Sequence, residues 1–378
     1  MRGTLAALRP GAHHPNACAG TMCARERALV APRHGDYCPH MTSRERLLAA
    51  LRGDALDRPP VSFWGHVYHR ESSADELVAH TMELWRRWQW DWIKLNPRKH
   101  YHVEPWGVTY RYSGVPDAKP TLEHHPVVNS ADWDRITEVP HDQGALGEQL
   151  DAVRRLRAQL PAEVPLLATV FTPLAILGEL TEPPTVLREH LASAPAAVER
   201  ALETVTRVYE RYVRELMAAG ADGLYLATVD WGSRRFVTPE LLKRWSRPYD
   251  LRLLAAAGPS PFHTLHVCKD DALLFEFSDY PVGAFSWDAT APGNPTLAEG
   301  LQRLPGAVMG GIAHEGPLQD ASPDGVRAQY RRALEQTGGR RWLVAPGCSM
   351  PPATPEGNLA AIREDVLHTV ASEGRMTR

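Results

Sequence analysis

The sequence predicts an α/β fold of the (β/α)8 TIM-barrel type, built as a single domain. Three observations carry this expectation. Eight short β-like runs recur along the chain, each followed by a helical pattern; 378 residues accommodate a barrel with insertions; and reactive side chains collect at the ends of the runs. The runs are Pro60–Trp64, Trp92–Leu95, Leu166–Phe171, Gly223–Ala227, His263–Cys268, Ala284–Trp287, Ala307–Ile312 and Trp342–Ala345. Strands that alternate with helices pair in parallel, because a parallel connection needs a crossover long enough to hold a helix. Eight such units favour closure into a barrel.

From the beginning of the chain, residues 1–40 show no apolar periodicity and hold three of the five cysteines, Cys18, Cys23 and Cys38. They predict a disordered leader. A small zinc knot using Cys18, Cys23 and His34 or Cys38 is the alternative, although the spacing follows no familiar ligand pattern. Ordered structure is expected from Met41, where Thr42 and Glu45 form a capping box ahead of Leu47, Leu48 and Leu51, so the barrel domain is assigned to 41–378. Between the second and third runs, the polar, aromatic stretch from His100 to His141 predicts a hairpin-like insertion around Val108–Tyr112. The clearest helix is Pro195–Ala218, where Val198, Leu202, Val205, Tyr209, Tyr212 and Leu216 step by three and four along one face. Further helical patterns follow Pro239 (Leu241, Leu242, Trp245, Leu251, Leu254), Pro323 and Pro355, each with proline early, where its missing N–H costs nothing.

Composition narrows the function. A charged fraction of 23%, a hydrophobic fraction of 43% and a net charge of -3 describe a globular enzyme without the basic footprint of a nucleic-acid or anionic-membrane binder. No run approaches the roughly 18–20 consecutive apolar residues of a membrane span. A cytoplasmic setting and a small-molecule substrate are expected.

In a barrel, chemistry gathers at the C-terminal ends of the strands. His266 and Cys268 are two apart, so on a strand both side chains reach the same side, and Cys348 follows the last run. Two thiolates and an imidazole suit Zn2+ and leave a fourth position open, as catalytic zinc requires; otherwise the two cysteines are small buried hydrophobes. Asp288 or Glu315 is placed to fill that fourth position at rest. His66 and His314 are candidate acid–base groups, Asp230 a further carboxylate facing the cavity, and Arg98 a clamp for a carboxylate or phosphate. Trp64 and Trp287, with Trp106 and Trp231, are candidates to line a pocket for a flat ligand, and Asn96 and Thr228 are further strand-end contacts to substrate.

The segments RERLLAALRGDALDRPPVSFWG, GADGLYLATVDWG followed by TPELLKRWSRPYD, and LVAPGCSMPPATPEGNLAAI resemble the uroporphyrinogen decarboxylase-like superfamily from about residue 42 to 372. Within it, the HVC and GC elements resemble the zinc-dependent methyltransferases that move a methyl group between a corrinoid protein and a thiol such as coenzyme M. The resemblance implies zinc held by His266, Cys268 and Cys348, a corrinoid methyl donor with a corrinoid protein as partner, and substrate held over the barrel mouth. A homodimer is also expected. In those methyltransferases glycine follows the histidine–cysteine pair; here Lys269 and Asp270 follow. The tetrapyrrole decarboxylases carry an arginine-rich segment of the kind MRQAGRY after the first strand and an aspartate after the second, where this chain reads WGHVYHR and KLNPRKHY. The leading expectation is therefore zinc-dependent methyl transfer to a thiol. The alternative is a decarboxylase-like lyase acting on a tetrapyrrole or other polycarboxylate through Arg98, Asp230 and His314.

Overall fold

In a computed structural model of the protein, residues 41–373 are described, apart from 116–117, 184 and 320–321. The expected leader and the alternative cysteine knot lie outside the described residues. Helix Ser43–Arg52 opens with the capping box read from the sequence: Glu45 N donates to Thr42 Oγ1 and Thr42 N to the Glu45 carboxylate. Nine strands follow: β1 (Ile93–Leu95), β2 (Thr109–Arg111), β3 (Thr121–His124), β4 (Leu166–Phe171), β5 (Gly223–Ala227), β6 (Thr264–Val267), β7 (Ala284–Trp287), β8 (Ala307–Ile312) and β9 (Trp342–Pro346). β2 and β3 pair antiparallel as the expected insertion. The other seven form one parallel sheet in the order β1-β4-β5-β6-β7-β8-β9, an α/β arrangement that curls in the manner of a TIM barrel.

The first of the eight expected strands is not a regular one. Residues 60–64 run between the two edge strands of the sheet. Ser62 N donates to Val344 O on β9 and Val344 N to Pro60 O, while Asp91 N donates to Val61 O and Ser62 Oγ to Trp92 O beside β1. Pro59 and Pro60 supply no N–H, and the N–H of Val61 is taken by the Asp91 carboxylate at 2.8 Å, so continuous ladder pairing is lost. The pattern following Pro239 likewise gives two helices, Pro239–Trp245 and Arg247–Ala257, because Pro248 removes a donor and starts a new first turn.

Two cores result. Inside the curled sheet, Trp64, Trp92, Leu167, Tyr225, Ala284, Ala307, Met309, Leu343 and Ala345 cluster with Leu47 and Ala50, so the Ser43–Arg52 helix plugs the end of the sheet from which the strands start. A larger cluster fills the layer between strands and helices, including Val198, Leu202, Val205, Tyr209, Tyr212 and Leu216 of helix Pro195–Ala218. With one end plugged, the other end, where the strands finish, carries the cavity.

Candidate metal centre and cavity

A cavity of about 890 Å3 opens over the strand ends. Of the residues named from sequence, Trp64, His66, Asn96, Arg98, His266, Cys268, Asp288, His314, Glu315 and Cys348 line it. His266 lies on β6, Cys268 just beyond it and Cys348 just beyond β9. Their ligand-type atoms all lie within 4.8 Å of one another, the one such group of three or more found among the described residues. The Nδ1 of His266 is 3.0 Å from Ser286 Oγ, which in turn is 3.1 Å from Tyr225 OH; the Nε2 is buried and has no hydrogen-bond partner among the described residues. Burying a lone pair unpaired is costly. An imidazole whose Nδ1–H donates to Ser286 presents that Nε2 lone pair as a ligand, so the donor set fits zinc. The hydrogen bond between the cysteines, helped by His266, holds Cys348 well below the usual thiol range, and the same bond with burial pushes Cys268 up.

The turn after Cys268 has a special conformation. Lys269 takes a φ of 72°, the left-handed region in which glycine is unstrained, so the chain keeps a glycine-like turn without glycine. Its side chain pairs with Asp230 at 3.1 Å. Beside Cys348, Asp288 accepts from Thr290 and lies 3.1 Å from His314 Nδ1. Gly347 makes room for it, since a Cβ there would fall 2.5 Å from Asp288 Cγ. Burial opposes both charges of the pair. The hydrogen bonds outweigh it, bringing Asp288 below and His314 above their ordinary values.

Five side chains expected at the cavity lie outside its lining. Thr228 is fully buried: its hydroxyl donates to His266 O and accepts from Cys268 N, so it braces the end of β6 and does not line the cavity. Trp287 faces away, its indole N–H donating to Pro295 O, because alternation along β7 gives the inward position to Ser286. Trp106 and Trp231 are also buried outside the cavity lining, and Asp230, partly exposed and paired with Lys269, does not line it either. Arg98 does line the cavity, but its guanidinium is spent on Glu104, Glu148 and Ser72 O, which leaves it no fork for a ligand. Glu315 is largely exposed, 3.9 Å from His314 Nε2.

Sequence reading missed two features. Lys94, 6% exposed, points in from β1 with its ammonium over the Trp64 and Tyr225 rings and one hydrogen bond, 2.6 Å to Asn96 Oδ1. Burial pushes its pKa down to about 8. The IKLN alternation, with Lys94 and Asn96 two apart, was the available signal. The second is a cluster in which one Glu179 oxygen lies 3.0 Å from both His100 Nδ1 and His102 Nε2, with His100 stacked on Tyr110 and His102 on Phe171. Burial drives His100 down to about 4; it also opposes the Glu179 charge, but the two histidines draw that carboxyl below the usual range.

Residues 42–368 match the uroporphyrinogen decarboxylase (URO-D) family, and the chain belongs to it. Among curated relatives, it is 22% identical over 340 residues to the methylcobamide:CoM methyltransferase MtaA of Methanosarcina barkeri, covering 85% of this chain and 96% of that protein. It is 27% identical over 283 residues to a uroporphyrinogen decarboxylase of Sorangium cellulosum, covering 71% and 75%. Among solved structures, a methyltransferase from Methanosarcina mazei superposes with a TM-score of 0.74 at 20% identity, covering 86% of this chain and 99% of that one. The family and these relatives are enzymes. No helix among the described residues is long and apolar enough to cross a membrane.

Proposed function

We propose that the protein is a zinc-dependent methyltransferase that moves a methyl group from a corrinoid donor to a thiol-type acceptor, in a closed eight-unit barrel completed by residues 60–64. The observation that carries this reading is the buried Nε2 of His266, without a hydrogen-bond partner among the described residues, within 4.8 Å of two cysteine sulfurs. His266, Cys268 and Cys348 hold the ion, which when bound supplies a Lewis acid that favours the thiolate form of the acceptor. Ser286 and Tyr225 orient the His266 ring, Thr228 fixes the strand end that presents Cys268, and Gly347 lets the Asp288–His314 pair stand next to Cys348. Trp64 and Lys94 form the floor on which the small molecule rests. The curated relatives that act on methylcobamide and CoM support the donor and acceptor classes and a corrinoid protein as partner.

The lyase alternative is favoured by the family match and by the decarboxylase relatives. A polycarboxylate needs free guanidinium or ammonium groups; Arg98, the arginine assigned to that task, is engaged by Glu104 and Glu148, which leaves the lining lysines Lys94 and Lys99 for it. The test is metal analysis of the purified protein together with thiol methylation from methylcobalamin. About one equivalent of zinc and methylated thiol are expected; protein that neither contains nor takes up zinc removes the reading.

A further inference from the structure

Three imidazoles around the cavity meet a carboxylate through Nδ1: His66 with Glu71, His100 with Glu179 and His314 with Asp288. The first pair is the most completely built. Glu71 is 2% exposed; its oxygens lie 2.9 and 3.0 Å from His66 Nδ1, and it accepts from Val67 N at 2.7 Å and Lys99 N at 3.4 Å. Tyr68 stacks on the other side of the bargain, its ring 5.0 Å from that of His66. A carboxylate offers only lone pairs, so Nδ1 carries the ring proton and Nε2 keeps its own lone pair.

The position is set by the backbone. Gly65 bridges to Met350, an approach that a Cβ would block, since it would fall 2.7 Å from Met350 O. His66 therefore stands on the cavity wall one residue past a bridge that Cys348 precedes by two residues. The other titratable groups that feel the Glu71 charge are Tyr68, His80, Lys94, Lys99 and Tyr112. Tyr68, Lys94 and Lys99 line the same cavity.

We propose that Glu71 is a positioning residue that fixes His66 as the proton acceptor for the thiol substrate, an inference that rests on the methyl transfer proposed above. The S–H bond breaks, its proton passes to His66 Nε2, and the electron pair stays on sulfur. That pair forms the new S–C bond as the methyl–donor bond breaks, its electrons remaining with the corrinoid. His66 then returns its proton to solvent. Replacing Glu71 by Gln keeps an acceptor for Val67 N, but of the two positions near His66 Nδ1 one becomes an NH2 and the negative charge is lost. The ring is then no longer held as the Nδ1–H tautomer, and the cation formed on accepting a proton loses its counter-charge.

The test compares wild type and Glu71→Gln with methylcobalamin and 2-mercaptoethanol from pH 6 to 10, with zinc content measured on the same samples. Zinc is expected to be unchanged. The variant is expected to be about 100-fold slower near pH 6.5, with the deficit shrinking to a few-fold above about pH 9, where the free thiol ionises unaided. Long-range 1H–15N NMR of the histidine rings should show Nδ1–H at His66 in wild type and a mixture that includes Nε2–H in the variant. Equal rates, a deficit that does not change with pH, or the same tautomer in both overturns the proposal. Wild-type protein that methylates no thiol overturns the underlying reading as well. Should Glu71→Gln fail to fold, His66→Ala takes its place: added imidazole should restore at least 10-fold of its lost rate, and no rescue overturns the assignment.

Discussion

The two walls of the cavity differ in what they leave undone. On the wall formed by β6 and β9, the His266 Nε2 is buried without a partner and two cysteines face it. On the wall formed by the segments after β1 and β4, two strong charges are answered from within the protein, Arg98 by Glu104 and Glu148, and Glu179 by His100 and His102. Unanswered polar groups cost folding energy unless a ligand completes them, whereas a closed network adds rigidity and shape. The first wall is built to receive something and the second to hold still. Lys94 sits between them, a buried cation with a single hydrogen bond.

The largest effect should come from damaging the unfinished wall. Cys348→Ala reduces the trio to two protein ligands, so zinc content should fall from about one equivalent to near zero and thiol methylation should be lost, while circular dichroism stays native. Retained zinc with full activity would erase the distinction between the walls.

Lys94→Met tests the group between the walls. A lysine whose folded pKa lies below its unfolded one binds its proton more weakly when folded, so the native state is penalised at low pH and recovers as pH rises from about 8 to the unfolded value near 10.4. The drop to about 8 corresponds to a penalty of about 3 kcal/mol at pH 7. The variant should therefore melt at higher temperature at pH 7, with the gain vanishing above about pH 10. A lower melting temperature at pH 7 would show that the ammonium is better compensated than its one hydrogen bond suggests.

Asp288→Asn should change pH behaviour more than stability. The raised His314 pKa means the pair's contribution is fully present below the ordinary imidazole value and fades as pH rises through the raised one; the lowered Asp288 pKa means it is lost again only in acid. Burial already acts most strongly on His314 and lowers its pKa; without the carboxylate that opposes it, the His314 pKa should fall, as read by NMR titration. An unmoved His314 would show that other charges hold it. The smallest effect is expected for Trp287→Phe, which removes the hydrogen bond to Pro295: about 1 kcal/mol of stability by denaturant unfolding and no change in KM. A changed KM would return Trp287 to the cavity.

Much of the fold was legible because its signals are local. Strand and helix periodicities, the Thr42–Glu45 cap and the prolines at helix starts depend on neighbours within a few residues. The trio was legible for a related reason: His266 and Cys268 share a strand face by parity, and Cys348 follows the last strand. Parity also shows how the reading of β7 erred, since strand-end position was allowed to outrank the alternation that turns Ser286 inward and Trp287 outward.

What the sequence by itself determined is therefore the strand–helix alternation, the convergence of His266, Cys268 and Cys348, and the end of the sheet where they gather. Only the tertiary structure decided which charges are free. Arg98 meets Glu148 across 50 residues, and Glu179 meets His100 across 79. Such pairings are fixed by how the connecting segments pack, which no local pattern encodes, and they determine whether a polar side chain serves the fold or remains available to a ligand.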